Sequence, residues 1–193
     1  MEMIRAFVAI ELDDAVKGAL VQAQNTLKRA PVGRLVRWVS PDGIHLTLKF
    51  LGDISSDRVT DITRSIERGC GTFSPFRIAL SEAGFFPNAH RLRVVWVGVG
   101  GEVEHLLRLQ RSVEAELGTL GFPPEGRGFQ PHLTLGRVRD SALSAEREEL
   151  AKRIATTQVE ANAAMTVEKV RLIRSELRPT GAVYTTLAAV PLG

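Results

Sequence analysis

The tetrapeptide His-Leu-Thr-Leu occurs twice in this chain, as His45-Leu46-Thr47-Leu48 and His132-Leu133-Thr134-Leu135, separated by nearly half the chain length. Four histidines and 13 threonines among 193 residues are too few for two His-x-Thr pairs with identical apolar partners to arise by chance. Each copy lies in a segment that reads as a β-strand, where successive side chains point to opposite faces. Ile44, Leu46 and Leu48 then enter one core, and His45 and Thr47 face away from it. Leu133 and Leu135 do the same for His132 and Thr134. The duplication constrains the fold to two similar lobes that present a His and a Thr to a shared cleft.

Two opposed imidazoles suit acid–base catalysis on a phosphodiester. In-line attack at phosphorus needs a base beside the incoming nucleophile and an acid beside the departing oxygen. These positions lie on opposite sides of the trigonal bipyramid, and an ordinary histidine pKa near 6.5 serves either one. Threonine hydroxyls two residues along can donate to the non-bridging oxygens where charge develops. The competing structural explanation is a pair of buried strands whose His and Thr satisfy each other. A zinc site is poorly supported, because no His-Glu-x-x-His or carboxylate cluster accompanies either histidine.

Composition narrows the class further. A single cysteine, Cys70, excludes an intramolecular disulfide and a cysteine-built zinc site. The formal charge is only +3, but Arg outnumbers Lys by 20 to 5, and a guanidinium fork grips two phosphate oxygens at once. This permits an anionic partner without demanding one. The opening apolar stretch is interrupted by Arg5 and followed by Glu11, Asp13 and Asp14, unlike a signal peptide. No apolar run approaches the roughly 20 residues that span a bilayer. A soluble, cytoplasmic protein without membrane contact is expected.

Periodicity gives strands over 5–12, 35–39, 44–51, 76–85, 91–99, 131–138, 166–176 and 182–190. A helix is expected after a cap at Asp13 or Asp14, with Pro31 and Gly33 ending it. Another follows a cap at Ser56 or Asp57 with Val59, Ile62 and Ile66 on one face, and two more run over about 102–117 and about 144–156. Hairpins mixed with helices, without regular βαβ alternation, make this an α+β fold.

The flanking residues narrow the function. The chain closely resembles the 2H phosphoesterases, and within them the RNA 2′,3′-cyclic phosphodiesterases, also called 2′-5′ RNA ligases. The likeness runs from Arg5-Ala6-Phe7-Val8-Ala9-Ile10 through Arg37-Trp38-Val39 to His45-Leu46-Thr47-Leu48-Lys49-Phe50-Leu51-Gly52. It continues through Phe85-Phe86-Pro87-Asn88, Val95-Trp96-Val97-Gly98, Gly121-Phe122-Pro123-Pro124 and Pro131-His132-Leu133-Thr134-Leu135-Gly136-Arg137 to Arg174-Ser175-Glu176-Leu177. It implies one domain over 1–193, built as a bilobal, pseudo-symmetric pair of antiparallel sheets flanked by helices, with a central cleft. It also implies metal-independent opening of an RNA-terminal 2′,3′-cyclic phosphate to a 2′-phosphate. No cofactor is expected, and the protein is expected to act as a monomer. By family pattern His45 donates a proton to the departing 3′ oxygen and His132 takes one from water, an order that sequence symmetry alone leaves open. Thr47 and Thr134 hold phosphate oxygens.

Other residues are placed conditionally. By family pattern Arg137 suits a phosphate or ribose contact, but strict alternation turns it away from His132 unless the strand ends or bulges at Gly136. Lys49 shares parity with His45, and either faces the cleft or lies solvated beyond it. Phe7 either stacks a terminal base or belongs to the core. Trp38 and Trp96 are expected in the core, and His90 and His105 on the surface; Cys70 receives no role. Arg34, Arg91, Arg93, Arg127, Arg139, Arg174 and Arg178 are candidates to guide RNA. A 5′-hydroxyl can replace water and give a 2′-5′ linkage without ATP, and neither a G-x-x-x-x-G-K loop nor a Lys-x-Asp-Gly nucleophile occurs. Two alternatives remain: an RNA- or nucleotide-binding module without turnover, and a sibling enzyme acting on a small cyclic nucleotide.

Overall fold

The alternating segments sort into two antiparallel sheets in the computed structural model, which describes residues 2–160, 162–179 and 181–193. The elements run β1 (Met3–Glu11), α1 (Asp14–Arg29), β2 (Val36–Trp38), β3 (His45–Ser55), α2 (Val59–Cys70), β4 (Phe76–Phe86) and β5 (Val94–Gly101). They continue with α3 (Val103–Gly118), β6 (His132–Val138), α4 (Ser144–Ala155), β7 (Ala164–Val167), β8 (Lys169–Arg178) and β9 (Gly181–Pro191). One sheet has the order β3-β1-β8-β9 and the other β2-β6-β5-β4-β7. Helices α2 and α3 pack on the first sheet, and α1 and α4 on the second. This is the α+β, two-sheet arrangement expected.

Local chemistry sets the element ends. The Asp13 carboxylate caps α1 by accepting the Val16 amide at 2.8 Å, which satisfies one of the helix's free donors. Helix α2 differs from expectation: Ser56–Arg58 form a 3-10 turn, and Arg58 precedes the helix without a side-chain cap. The segment expected as one strand over 166–176 is two. β7 pairs with β4 in the five-stranded sheet, β8 pairs with β1 in the four-stranded sheet, and Glu168 stands at the crossing. There its carbonyl accepts the Leu192 amide at 2.8 Å. Continuous apolar patterning hides such a break, because both strands bury the same kind of residue.

The apolar faces of both sheets and their helices join in one core that contains Ile44, Leu46, Leu48, Leu133 and Leu135. A smaller cluster of Phe7, Ala9 and Ile173, with Tyr184 against it, lies separate from that core.

Both motif strands depart from regular pairing at the same place. In β3, Lys49 faces Val8 and Thr47 faces Ala9, which leaves Leu48 as an extra residue. In β6, Gly136 faces Val95 and Thr134 faces Trp96, which leaves Leu135 extra. Each is a β-bulge. Leu48 and Lys49 are consequently both buried, as are Leu135 and Gly136, and the next residues, Phe50 and Arg137, turn outward again.

Gly136 is required by its neighbour strand. A Cβ there would lie 2.4 Å from Val36 Cγ1 and 2.9 Å from the Arg37 carbonyl oxygen. Gly136→Ala is expected to destabilise by about 1–3 kcal/mol, read from chemical denaturation. Gly126→Ala, where a Cβ meets nothing within 4 Å, should stay within about 0.5 kcal/mol of the parent.

Candidate active site

Strands β3 and β6 approach each other where the two sheets meet. A cavity of ≈ 340 Å³ opens there, lined by Arg5, Phe7, His45, Thr47 and Phe50 from β1 and β3 and by Thr134 and Arg137 from β6. Ser175, Leu177, Ala182 and Tyr184 also line it. The four-stranded sheet is strongly curled. β9 lies three strand steps from β3, about 14 Å in a flat sheet, yet the Tyr184 and His45 rings are 4.8 Å apart.

The two histidines are held alike. His45 Nδ1 lies 3.0 Å from the Gly43 carbonyl, and His132 Nδ1 lies 2.7 Å from the Gln130 carbonyl. A carbonyl only accepts, so each Nδ1 carries the proton and each ring offers Nε2 for chemistry. Their surroundings differ. Phe7 and Tyr184 meet the His45 ring edgewise at 5.6 and 4.8 Å. Burial among them lowers its pKa, against opposing pulls from the Gly43 carbonyl and the Glu11 charge. His132 shares the Thr134 face of β6 but stands outside the cavity lining, against Phe86 at 5.1 Å and Trp96 at 6.5 Å.

The bulges decide the conditional residues. Arg137 meets its condition: the extra Leu135 restores it to the face of Thr134, and it lines the cavity. Phe7 also lines the cavity, although it is only 5% exposed. Phe50, which follows the bulge in β3, is 60% exposed at the cavity. Lys49 takes neither expected position. The bulge sends it inward, where its ammonium lies 2.8 Å from Glu114 Oε1 and 2.7 Å from the Pro123 carbonyl.

Arg5 and Tyr184 were not singled out by the sequence. Parity with Phe7 on β1 carried the signal for Arg5. None carried it for Tyr184, which reaches the site through sheet curvature. Burial raises the Tyr184 pKa, opposed by the Arg137 and Arg5 charges. Of the arginines proposed as guides, Arg34 pairs with Glu146, Arg174 with Glu2 and Glu176, and Arg178 with Glu176. Trp96 is half-buried beside His132 instead of lying in the core, and Trp38 is half-buried with its Nε1 donating to the Gly33 carbonyl at 3.1 Å. His105 is half-buried and stacks on Phe76 at 4.7 Å, whereas His90 is exposed and pairs with Glu148. Cys70 is buried and its thiol is pushed up to about 12.

The Lys49 site generates one expectation. Glu114→Ala strands an ammonium in the core and should cost about 3 kcal/mol, whereas Lys49→Met, which leaves Glu114 able to reach water, should cost less. Equal losses in denaturant unfolding would contradict the ion pair's role. A second concerns His45, whose ring should titrate below about 6.5 in the free protein. A phosphate in the cavity stabilises the imidazolium, so its NMR-observed pKa should rise with inorganic phosphate. A fall would place the anion elsewhere.

The sequence matches the 2′-5′ RNA ligase superfamily over residues 12–179. It is 40% identical over 187 residues to an RNA 2′,3′-cyclic phosphodiesterase of Methanothermobacter thermautotrophicus, covering 95% of this chain and 96% of that one. An RNA 2′,3′-cyclic phosphodiesterase of Archaeoglobus fulgidus is 35% identical over 184 residues, covering 95% and 98%. Among solved structures, TT0787 of Thermus thermophilus superposes with a TM-score of 0.81 at 31% identity, covering 98% of both chains.

Proposed function

The chain belongs to the 2′-5′ RNA ligase superfamily, and from that premise we propose that it hydrolyses RNA-terminal 2′,3′-cyclic phosphates to 2′-phosphomonoesters. The observation that carries the mechanism is the pair of matching bulged strands, which direct His45, Thr47, Thr134 and Arg137 toward one space with His132 beside it.

The proposed substrate is an RNA end or nucleotide whose cyclic phosphate enters this cavity. His132 Nε2 accepts a proton from water as the water oxygen bonds to phosphorus. The P–O3′ bond breaks, and His45 Nε2 gives its proton to the departing 3′ oxygen. The product carries a 2′-phosphate and a 3′-hydroxyl, and solvent returns the histidines to their starting protonation states. For this step His45 begins as the imidazolium. Its burial makes that form a strong acid, and the substrate's negative charge restores the form that burial disfavours. The Thr47 and Thr134 hydroxyls and the Arg137 guanidinium hold the non-bridging oxygens, a task that grows as charge develops in the transition state.

Phe7 forms the wall behind His45 and contacts substrate from there, and exposed Phe50 offers the larger free ring for a terminal base. A 5′-hydroxyl in place of water gives a 2′-5′ linkage as a minor reversal. No cofactor or metal is invoked. We assign these steps to a single domain over 1–193 acting as a cytoplasmic monomer. Among the described residues, no helix is long and apolar enough to cross a membrane.

The test is chelator-treated protein with adenosine 2′,3′-cyclic phosphate and with short RNA bearing the same end. A 2′-phosphate product is expected. His45→Ala and His132→Ala should each lower kcat by about 10²–10⁴, and Thr47→Val or Thr134→Val by about 10². A 3′-phosphate product, or turnover only on adding metal, would overturn the mechanism. Binding without turnover would identify a binding module.

A further inference from the structure

Two buried glutamines occupy matching places beneath the motifs. Gln24 on α1 is fully buried. Its Nε2 donates to the Leu135 carbonyl at 2.9 Å and to the Val39 carbonyl at 2.8 Å. Gln110 on α3 is 5% exposed, and its Nε2 donates to the Leu48 carbonyl at 3.4 Å. Leu48 and Leu135 are the fourth residues of the two motifs, and each is the extra residue of its bulge. The contacts cross between halves of the chain: α1 follows β1 but grips the second motif, and α3 follows β5 but grips the first.

A bulge displaces its extra residue from the ladder with one neighbouring strand, here β1 for Leu48 and β5 for Leu135, and leaves its carbonyl to find partners elsewhere. In a core, an unpaired carbonyl is costly, and so is a buried amide with no acceptor. The two glutamines answer both needs at the bulge itself. The Leu135 carbonyl also accepts the Val39 amide at 2.9 Å, which ties the turn after β2 to the same point. The bulge determines which face receives the sixth residue of each motif, Phe50 or Arg137. Without it, simple alternation would turn that residue away from the cavity.

We propose that Gln24 and Gln110 are positioning residues that hold the two bulges in register and thereby keep Arg137 and Phe50 on the cavity side. This inference rests on the proposed phosphodiesterase function for its kinetic consequences, but the phosphate affinity of the cavity reports on it independently of turnover. Removing Gln24's donors frees β6 to relax toward regular pairing. His132 and Thr134 precede the bulge and keep their places, so the effect falls on binding through Arg137 more than on the acid–base step.

The experiment measures adenosine 2′-monophosphate binding by calorimetry, alongside kcat and KM on the cyclic nucleotide, for Gln24→Met, Arg137→Ala and the double variant. Gln24→Met should weaken binding about tenfold and lower kcat/KM by at least as much, because Arg137 also serves the charge that develops in the transition state. The double variant should bind no more weakly than Arg137→Ala alone, because both changes remove the same contact. Losses that multiply in the double variant, or wild-type affinity in Gln24→Met, would overturn the proposal. If Gln24→Met does not fold, Gln110→Met is read against Phe50→Ala by the same criterion. Absence of turnover in the parent with coupled binding losses would overturn the phosphodiesterase function and leave the positioning role supported.

Discussion

A strand shows alternate residues to alternate sides, so positions one, three and six of a six-residue motif cannot share a face unless one residue is left out of the count. The bulges at Leu48 and Leu135 leave it out. Much of the site follows from that geometry. The fifth residue is forced inward in both copies, and the chain meets that demand in two ways. Lys49 brings a charge into the core and needs Glu114 and the Pro123 carbonyl to hold it. Gly136 brings no side chain and admits β2 to within contact distance. The two halves therefore share a backbone solution while differing in the chemistry that supports it.

The cavity's electrostatics are local and owe little to the chain's net charge of +3. Several arginines are engaged by carboxylates on the outer surface, whereas Arg5 and Arg137 line the cavity itself. Their charges also act on Tyr184, where they oppose the effect of burial. The His45 imidazole, disfavoured as a cation by burial and by the Lys17 and Arg171 charges, is poorly placed to hold a proton until an anion arrives. Acid strength and phosphate binding are consequently linked through the same few ångströms of space.

The sequence made the repeated elements legible because each carries its own signal. Helix α1 shows its Asp13 cap and apolar stripe, and the motif strands show their alternation and their duplication. The α+β class and the family followed from these local features and their flanks. Nonlocal facts were not legible. Tyr184 reaches His45 only because a four-stranded sheet curls until its edges converge, and curvature leaves no residue pattern of its own. The division at Glu168 was invisible because strands on either side are buried in similar ways. Lys49 departs from simple parity because of a bulge that only pairing with β1 reveals. Arg137 carried the same ambiguity, but Gly136 beside it supplied a hint that the count could fail there.

The duplicated motif also raises the question of how two equivalent histidines come to do different work. Both rings have Nδ1 fixed by the carbonyl two residues earlier, so tautomer does not distinguish them. Their settings do. His45 sits half-buried between Phe7 and Tyr184 inside the curled sheet, where burial lowers its pKa. His132 lies against Phe86 and Trp96, outside the cavity lining. A base that activates water benefits from access to water, and an acid that protonates a leaving oxygen benefits from burial that weakens its hold on the proton. The proposed assignment of His132 as base and His45 as acid uses this asymmetry, which sequence symmetry does not contain. It arises from the strands around the motifs: β9 brings Tyr184 to one histidine, and β4 and β5 bring Phe86 and Trp96 to the other.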